Sequence, residues 1–307
     1  MLREDRYKKR ILLGQDGNSL VMLLAILAIS FCLFKFLWTI YWMSGSKIDI
    51  YNSEILNWFT LPSNLGVLAT RPWTVFTYMF LHEDPMHLIG NVLWLWAFGY
   101  ILQDLAGPRK LIPLFIYGGL AGGLFYILSF NLLPVLSEAA KYSTLIGASA
   151  GVMSIAIATT ALAPGYRIFP MINGGIPLWV LTLIFVVLDF AMVTGNNTGG
   201  HLAHLAGAAM GFIFVWQLRR GRDWGEWMNR SFDWISNLFN PDKKNWKKTA
   251  KEELHYEAKG TQPYKRIPNI TQKRIDEILD KISQQGYRYL TEEEKDILKR
   301  ASEDEDL

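Results

Sequence analysis

Cysteine is all but missing from this chain. Cys32 is the single one among 307 residues, so no disulfide can form within the chain, and its place in an apolar run reads as packing. Charge is thin as well: 19% of residues are charged and the net balance is +3. Those charges gather at the ends and in a few loops. Nowhere do they form the basic face with base-reading side chains that a nucleic-acid partner requires. No cleavable leader is expected either. The charged start (Arg3, Arg6, Lys8, Lys9, Arg10) runs into an apolar stretch, 20–43, that is too long for a leader core and lacks a small-residue cleavage pattern. No pair of matching Gly/Pro-broken halves argues for a transporter.

What the chain does have is apolar length. Half of its residues are hydrophobic, most of them within 19–218, in stretches that meet the roughly 20 residues a bilayer-crossing helix needs. The expected architecture is an all-α polytopic membrane protein. Its spans fall at about 20–43, 87–104, 111–132, 147–164, 177–194 and 201–219. Lys35, inside the first, snorkels or faces the bundle. The loop 44–86 is rich in aromatics (Trp58, Phe59, Trp73, Phe76, Tyr78, Phe80). It is either functional and partly embedded, or an apron at the interface.

Lys and Arg set the direction. The N-terminus is basic, Arg109 and Lys110 sit in one loop, Arg167 in another, and Arg219, Arg220 and Arg222 close the last span. The alternate loops carry only Lys47, Arg71 and Lys141. Positive residues favour the cytoplasmic side, so both termini are expected there. The second, fourth and sixth spans then all run inward, and His87, Asn91, Ser149 and His204 share one depth in the outer third of the membrane.

Polar side chains at that depth are expensive and point to function. A serine hydroxyl is a poor nucleophile until a base takes its proton, and imidazole is the usual base near neutral pH. Attack on an amide creates an oxyanion that needs preset donors. His87 and Asn91 are four apart and share a helix face, and the Ser149 N–H opens a helix and is free. Gly207 and Gly211 form a small-residue strip that lets helices in lipid approach closely. Taken singly, these are ordinary packing motifs; their combination is harder to dismiss.

Gly147-Ala148-Ser149, His87-x-x-x-Asn91 and Ala203-His204-x-x-Gly207-x-x-x-Gly211 together resemble the signature of the rhomboid intramembrane serine proteases. The likeness covers roughly 73–216, in the family's order. It implies that Ser149 is the nucleophile, His204 the general base, and His87 and Asn91 the oxyanion-hole side chains. It also implies a two-residue dyad, no cofactor, and transmembrane protein substrates in a bacterial inner membrane, with the active site towards the outer face. Three positions depart from the family's pattern. Ala150 stands where glycine usually follows the nucleophile, Thr74 follows Trp73 where an arginine anchors the loop in many relatives, and Met153 replaces an aromatic ring beneath the base. The alternative is a non-catalytic relative that binds client helices; such proteins generally lose the serine or the histidine, and both are present here.

Other patterns fall away. Gly147-x-Ser149-x-Gly151 also matches a nucleophile elbow, but that needs a strand before it and a parallel sheet. His82-Glu83 suggests a metal helix, yet His82 and His87 are five apart with Pro85 between them. His201 and His204 lack a third ligand nearby in sequence, so no metal is expected. His82 then reads as a loop anchor and His201 as exposed or water-facing. Asp189 can serve as a triad's third member, or as an interhelical bond or part of the outer cavity; it stays outside the expected catalytic set.

Four segments are expected in all: a basic N-terminal segment 1–19, the membrane domain 20–220, an interfacial amphipathic helix and linker 221–268, and a small helical extension 269–307. Trp224, Trp227, Met228, Ile235, Leu238 and Phe239 carry the interfacial helix, or else pack on the tail's own domain. The stretch 241–268 reads as a linker. Ile275, Ile278, Leu279 and Ile282 mark one helix of the extension, and Thr291 with Glu294 a capping box that opens another.

Overall fold

The computed structural model describes residues 18–168, 171, 174–238 and 272–304. The basic N-terminal stretch, Phe239 and the expected linker 241–268 lie outside the described residues. The chain divides into two units, Met1–Ser236 and Asn237–Leu307.

In the first unit, Asn18 caps α1 (Ser19–Met43) by accepting from the Leu20 and Val21 N–H groups. The loop that follows is structured. It contains α2 (Ile48–Glu54), β1 (Leu61–Pro62), α3 (Leu65–Thr70) and α4 (Thr74–Thr77). Asp84 then caps α5 (Pro85–Ala106), with Pro85 at its first position, where a missing N–H does no harm. Next come α6 (Leu111–Leu132), β2 (Thr144–Leu145) and α7 (Ser149–Leu162). A small hairpin of β3 (Arg167–Ile168) and β4 (Ile176–Pro177) leads into α8 (Leu178–Met192). α9 (Thr198–Arg219) and α10 (Glu226–Leu238) follow.

By length and composition, α1, α5, α6 and α9 can each cross a membrane; α7 and α8 are shorter apolar helices. The six expected segments are therefore all helical, four of them long enough to span, and their ends are shifted. The fourth loses residues at both ends because Gly147, at φ 120°, turns the chain before Ser149, and Pro164 disfavours helix at Ala163. The sixth begins earlier than expected because Asn197 caps it, accepting from the Gly200 N–H at 3.2 Å. His204 thus sits in the second turn of α9, not at its start.

α7 is the hub, packed against α5, α6 and α9. At 14 residues against 22 for α6, it falls about 12 Å short of its neighbour. It can be short because its flanks are covered by protein rather than lipid. Apolar surface gives little drive for association in lipid, so contact depends on close packing. Glycine supplies that closeness: a methyl at Gly207 would overlap the Ala150 carbonyl, and one at Gly211 would overlap that of Ser154. From the other side, a Cβ on Gly122 would lie 2.6 Å from the Ala150 methyl.

α1 stands apart from this centre, burying Leu20, Leu23 and Leu27 along one stripe. Cys32 is exposed on α1, not packed as expected; it lies off that stripe. Lys35 extends over the Phe31 ring. At the far end of the bundle, α10 is fastened to the α5–α6 turn and to α6. Trp227 Nε1 donates to the Tyr117 hydroxyl at 2.7 Å, Asn229 donates to the Arg109 carbonyl, and Lys110 pairs with Asp223. Trp227, Phe232, Trp234 and Ile235 remain exposed.

The second unit holds α11 (Gln272–Gln285) and α12 (Glu292–Asp304). Ile278 and Leu290 are buried. Thr291 and Glu294 exchange the two hydrogen bonds of a capping box, and Lys281 pairs with Glu294.

Candidate active site

Ser149 opens α7, and no side chain caps that end. The N–H groups of its first turn therefore point out of the helix without intrahelical acceptors. Gly147 precedes it in a conformation that L side chains rarely adopt, and its N–H donates to the Tyr78 carbonyl at 3.0 Å. A side chain there would also meet the His87 ring, at 2.7 Å from Cε1 and 2.8 Å from Nε2. Glycine is thus required twice, for the turn and for the space His87 occupies beside Ser149.

Across the narrow α7–α9 contact, Ser149 Oγ lies 2.6 Å from His204 Nε2. On the far side of the ring, His204 Nδ1 lies 2.9 Å from Asp189 Oδ1 on α8. A carboxylate can only accept, so Nδ1 carries the proton, leaving the Nε2 lone pair for the serine hydroxyl; that tautomer is assigned from the bonding. Ser149, His204, Asp189, Asn91, Trp94 and Phe185 are among the residues lining a cavity of about 140 Å³. The Trp94 and Phe185 rings meet edge to face at 3.9 Å between α5 and α8.

Asn91 is buried on α5. Its Nδ2 donates to the His87 carbonyl and to His82 Nε2, both at 3.0 Å. His82, in the loop before α5, is itself buried, and burial with His87 close by pushes its pKa down to about 4. It anchors the site's own asparagine as well as the loop. The first-turn carboxylate Asp84 accepts from the His87 N–H at 2.9 Å, which holds it below the usual carboxylate range.

Several details differ from expectation. His201 is not exposed: it is half-buried, and its Nδ1 donates to the same Asp189 oxygen at 2.7 Å. The third group that sequence proximity did not supply is Asp189, brought in by α8. The ligand atoms of Asp189, His201 and His204 lie within 4.8 Å of one another. Yet both nitrogens sit closer to the carboxylate oxygen than the ~3.3 Å that tetrahedral zinc bonds of about 2.0–2.1 Å would set between ligands. The distances fit hydrogen bonds.

The arginine anchor of the loop is present, displaced by a few residues. Arg71 stacks its guanidinium 4.2 Å over Trp58 and donates to the Asn57 carbonyl at 2.9 Å. Trp73 Nε1 ties back to the Trp58 carbonyl, and the two indoles stack. The Ala150 methyl turns to Gly122 of α6 and is absent from the cavity lining. Gly207 and Gly211 seat α7 on α9 at the level of the site.

Comparison with known proteins places this geometry in context. Residues 69–221 match the family model described as Rhomboid domain, and residues 264–304 match a family of unknown function, DUF6576. The chain is 27% identical to RHOMBOID-like protein 12, mitochondrial, of Arabidopsis thaliana, over 50% of this chain and 48% of that protein. It is 28% identical to Rhomboid protein 1, mitochondrial, of Saccharomyces cerevisiae, over 46% and 40% respectively. A shorter match, 31% identical over 24% of this chain and 26% of the relative, is to Rhomboid protease GlpG of Salmonella newport. The chain spans half or less of the length of these curated relatives.

Proposed function

We propose, from the premise that residues 69–221 of this chain are a domain of the rhomboid family, that the protein is an intramembrane serine endopeptidase. The observation that carries this reading is the 2.6 Å contact of Ser149 Oγ and His204 Nε2 inside a cavity between helices. In the first step Oγ attacks the scissile carbonyl as its proton passes to Nε2. The oxyanion meets the Ser149 N–H and the side chains of His87 and Asn91. For Asn91 this exchanges its local bond to the His87 carbonyl for one to the substrate. Collapse expels the amine with the proton from His204, and water, activated by the same imidazole, frees the acyl group.

Substrates are membrane proteins whose transmembrane segments reach the cavity lined by Trp94 of α5 and Phe185 of α8. The lipid bilayer is the medium and no nucleic acid takes part. In a bacterial inner membrane, the Lys and Arg distribution supports an orientation with both termini in the cytoplasm and the Ser149 end towards the outer face. The catalytic domain is 20–220, preceded by the basic segment 1–19 and followed by the interfacial segment 221–268 and the helical extension 269–307.

Purified protein in liposomes should cleave a model transmembrane substrate and take up a fluorophosphonate at Ser149. Ser149→Ala and His204→Ala should lose both by at least 10³-fold while still folding. Cleavage that survives Ser149→Ala rejects the serine mechanism. A folded wild type that binds the substrate helix without cutting it supports the non-catalytic alternative.

A further inference from the structure

We infer that Asp189 is the third, positioning member of the site, so that this chain acts through a serine–histidine–aspartate relay. The inference rests on the peptidase reading above and deepens it. Three observations carry it. Asp189 Oδ1 lies 2.9 Å from His204 Nδ1, on the side of the ring opposite the nucleophile. The carboxylate is nearly fully buried, at 7% exposure, yet it has charge-compatible donors. It is also held from two directions, because His201, one turn before His204 on α9, gives its Nδ1–H to the same oxygen at 2.7 Å.

This arrangement solves a problem that a lone histidine leaves open. A neutral imidazole has two tautomers, and only the one with its proton on Nδ1 offers Nε2 to Ser149. A carboxylate on Nδ1 selects that tautomer and fixes the plane of the ring. During attack, the Ser149 proton moves to Nε2 as the Oγ–C bond forms and the carbonyl electrons move to oxygen. His204 becomes an imidazolium and Asp189 stays a carboxylate, which stabilises the new positive charge without taking a proton. In a low-dielectric interior that charge pair is worth more than in water. His201 does not touch the nucleophile; it keeps the carboxylate from swinging away.

A merely structural aspartate, bridging α8 to α9, predicts something different. Asparagine is isosteric and can accept the same bonds, so it would keep the bridge and the activity. In the relay, asparagine removes the negative charge and offers an amide donor that favours the wrong tautomer.

The test compares Asp189→Asn, Asp189→Glu and Asp189→Ala in the full-length protein in liposomes, with rates normalised to folded protein. Asp189→Asn is expected to lower kcat by about 10²-fold or more while KM stays within about threefold, with a melting temperature near wild type. Asp189→Glu, which restores the charge, is expected to exceed Asp189→Ala by at least tenfold. Should the asparagine variant not fold, the Glu–Ala pair carries the same comparison. Wild-type kcat in Asp189→Asn, or equal rates for Glu and Ala, overturns the relay. That result leaves the peptidase reading standing as long as Ser149→Ala is inactive; activity in Ser149→Ala strikes at the peptidase reading itself.

Discussion

His82 shows how much a single side chain can contribute from outside the reacting atoms. Its Nε2 accepts from Asn91, which a protonated ring cannot do. Its folded pKa of about 4 lies below the ordinary 6.5. The unfolded chain therefore takes up the proton first as pH falls, so the stability from neutral His82 is full above about 6.5 and drains away towards 4. The unfolding temperature should fall over that window, and His82→Gln, which has no such proton, should flatten the dependence. An unchanged pH profile in that variant would remove His82 from the account. Ser149, His204, His87 and Asn91 were legible as residues because each stands in a short local pattern. Asp189 and His201 could be named but not paired, because their bond joins two helices, and neither residue type nor spacing says which way a carboxylate near a helix end will turn. Arg71 escaped for a simpler reason: the guanidinium reaches its tryptophan from a different position than the motif led one to expect.

At the level of elements, the α7–α9 contact sets the distance between Ser149 and His204. Gly207 touches the Ala150 backbone one residue from the nucleophile. Gly207→Ala should push the helices apart, destabilise the fold by about 1–3 kcal/mol, and cut cleavage far more than this loss of stability explains. Thermal unfolding and rate measurements on the same sample separate the two effects; a variant with normal rate would mean that the helices have slack. All six helices were readable from apolar runs, because lipid demands length and low charge. Their ends were not. Asp84 and Asn197 act through capping geometry, and the loop 44–86 hides three helices and a strand whose partner lies far away in sequence.

For the molecule as a whole, the proposed topology of six crossings with both ends in the cytoplasm makes a prediction about labelling. In a Cys32→Ser background, Tyr142→Cys should react with a membrane-impermeant maleimide from outside intact spheroplasts, and Arg222→Cys only after permeabilisation. The reverse pattern would turn the protein over and place cleavage on the cytoplasmic side.

One small feature bears on how a substrate enters. β1, from the long loop, pairs with β2, so that Leu61 faces Leu145 and Pro62 faces Thr144, four residues or fewer before the turn at Gly147. Ser63 adds bonds to Ser143 and Ala140, and Asn131 holds Ser63. The loop is therefore stitched to the same strand that leads into Ser149. Lifting it like a flap would drag the reactive turn out of register.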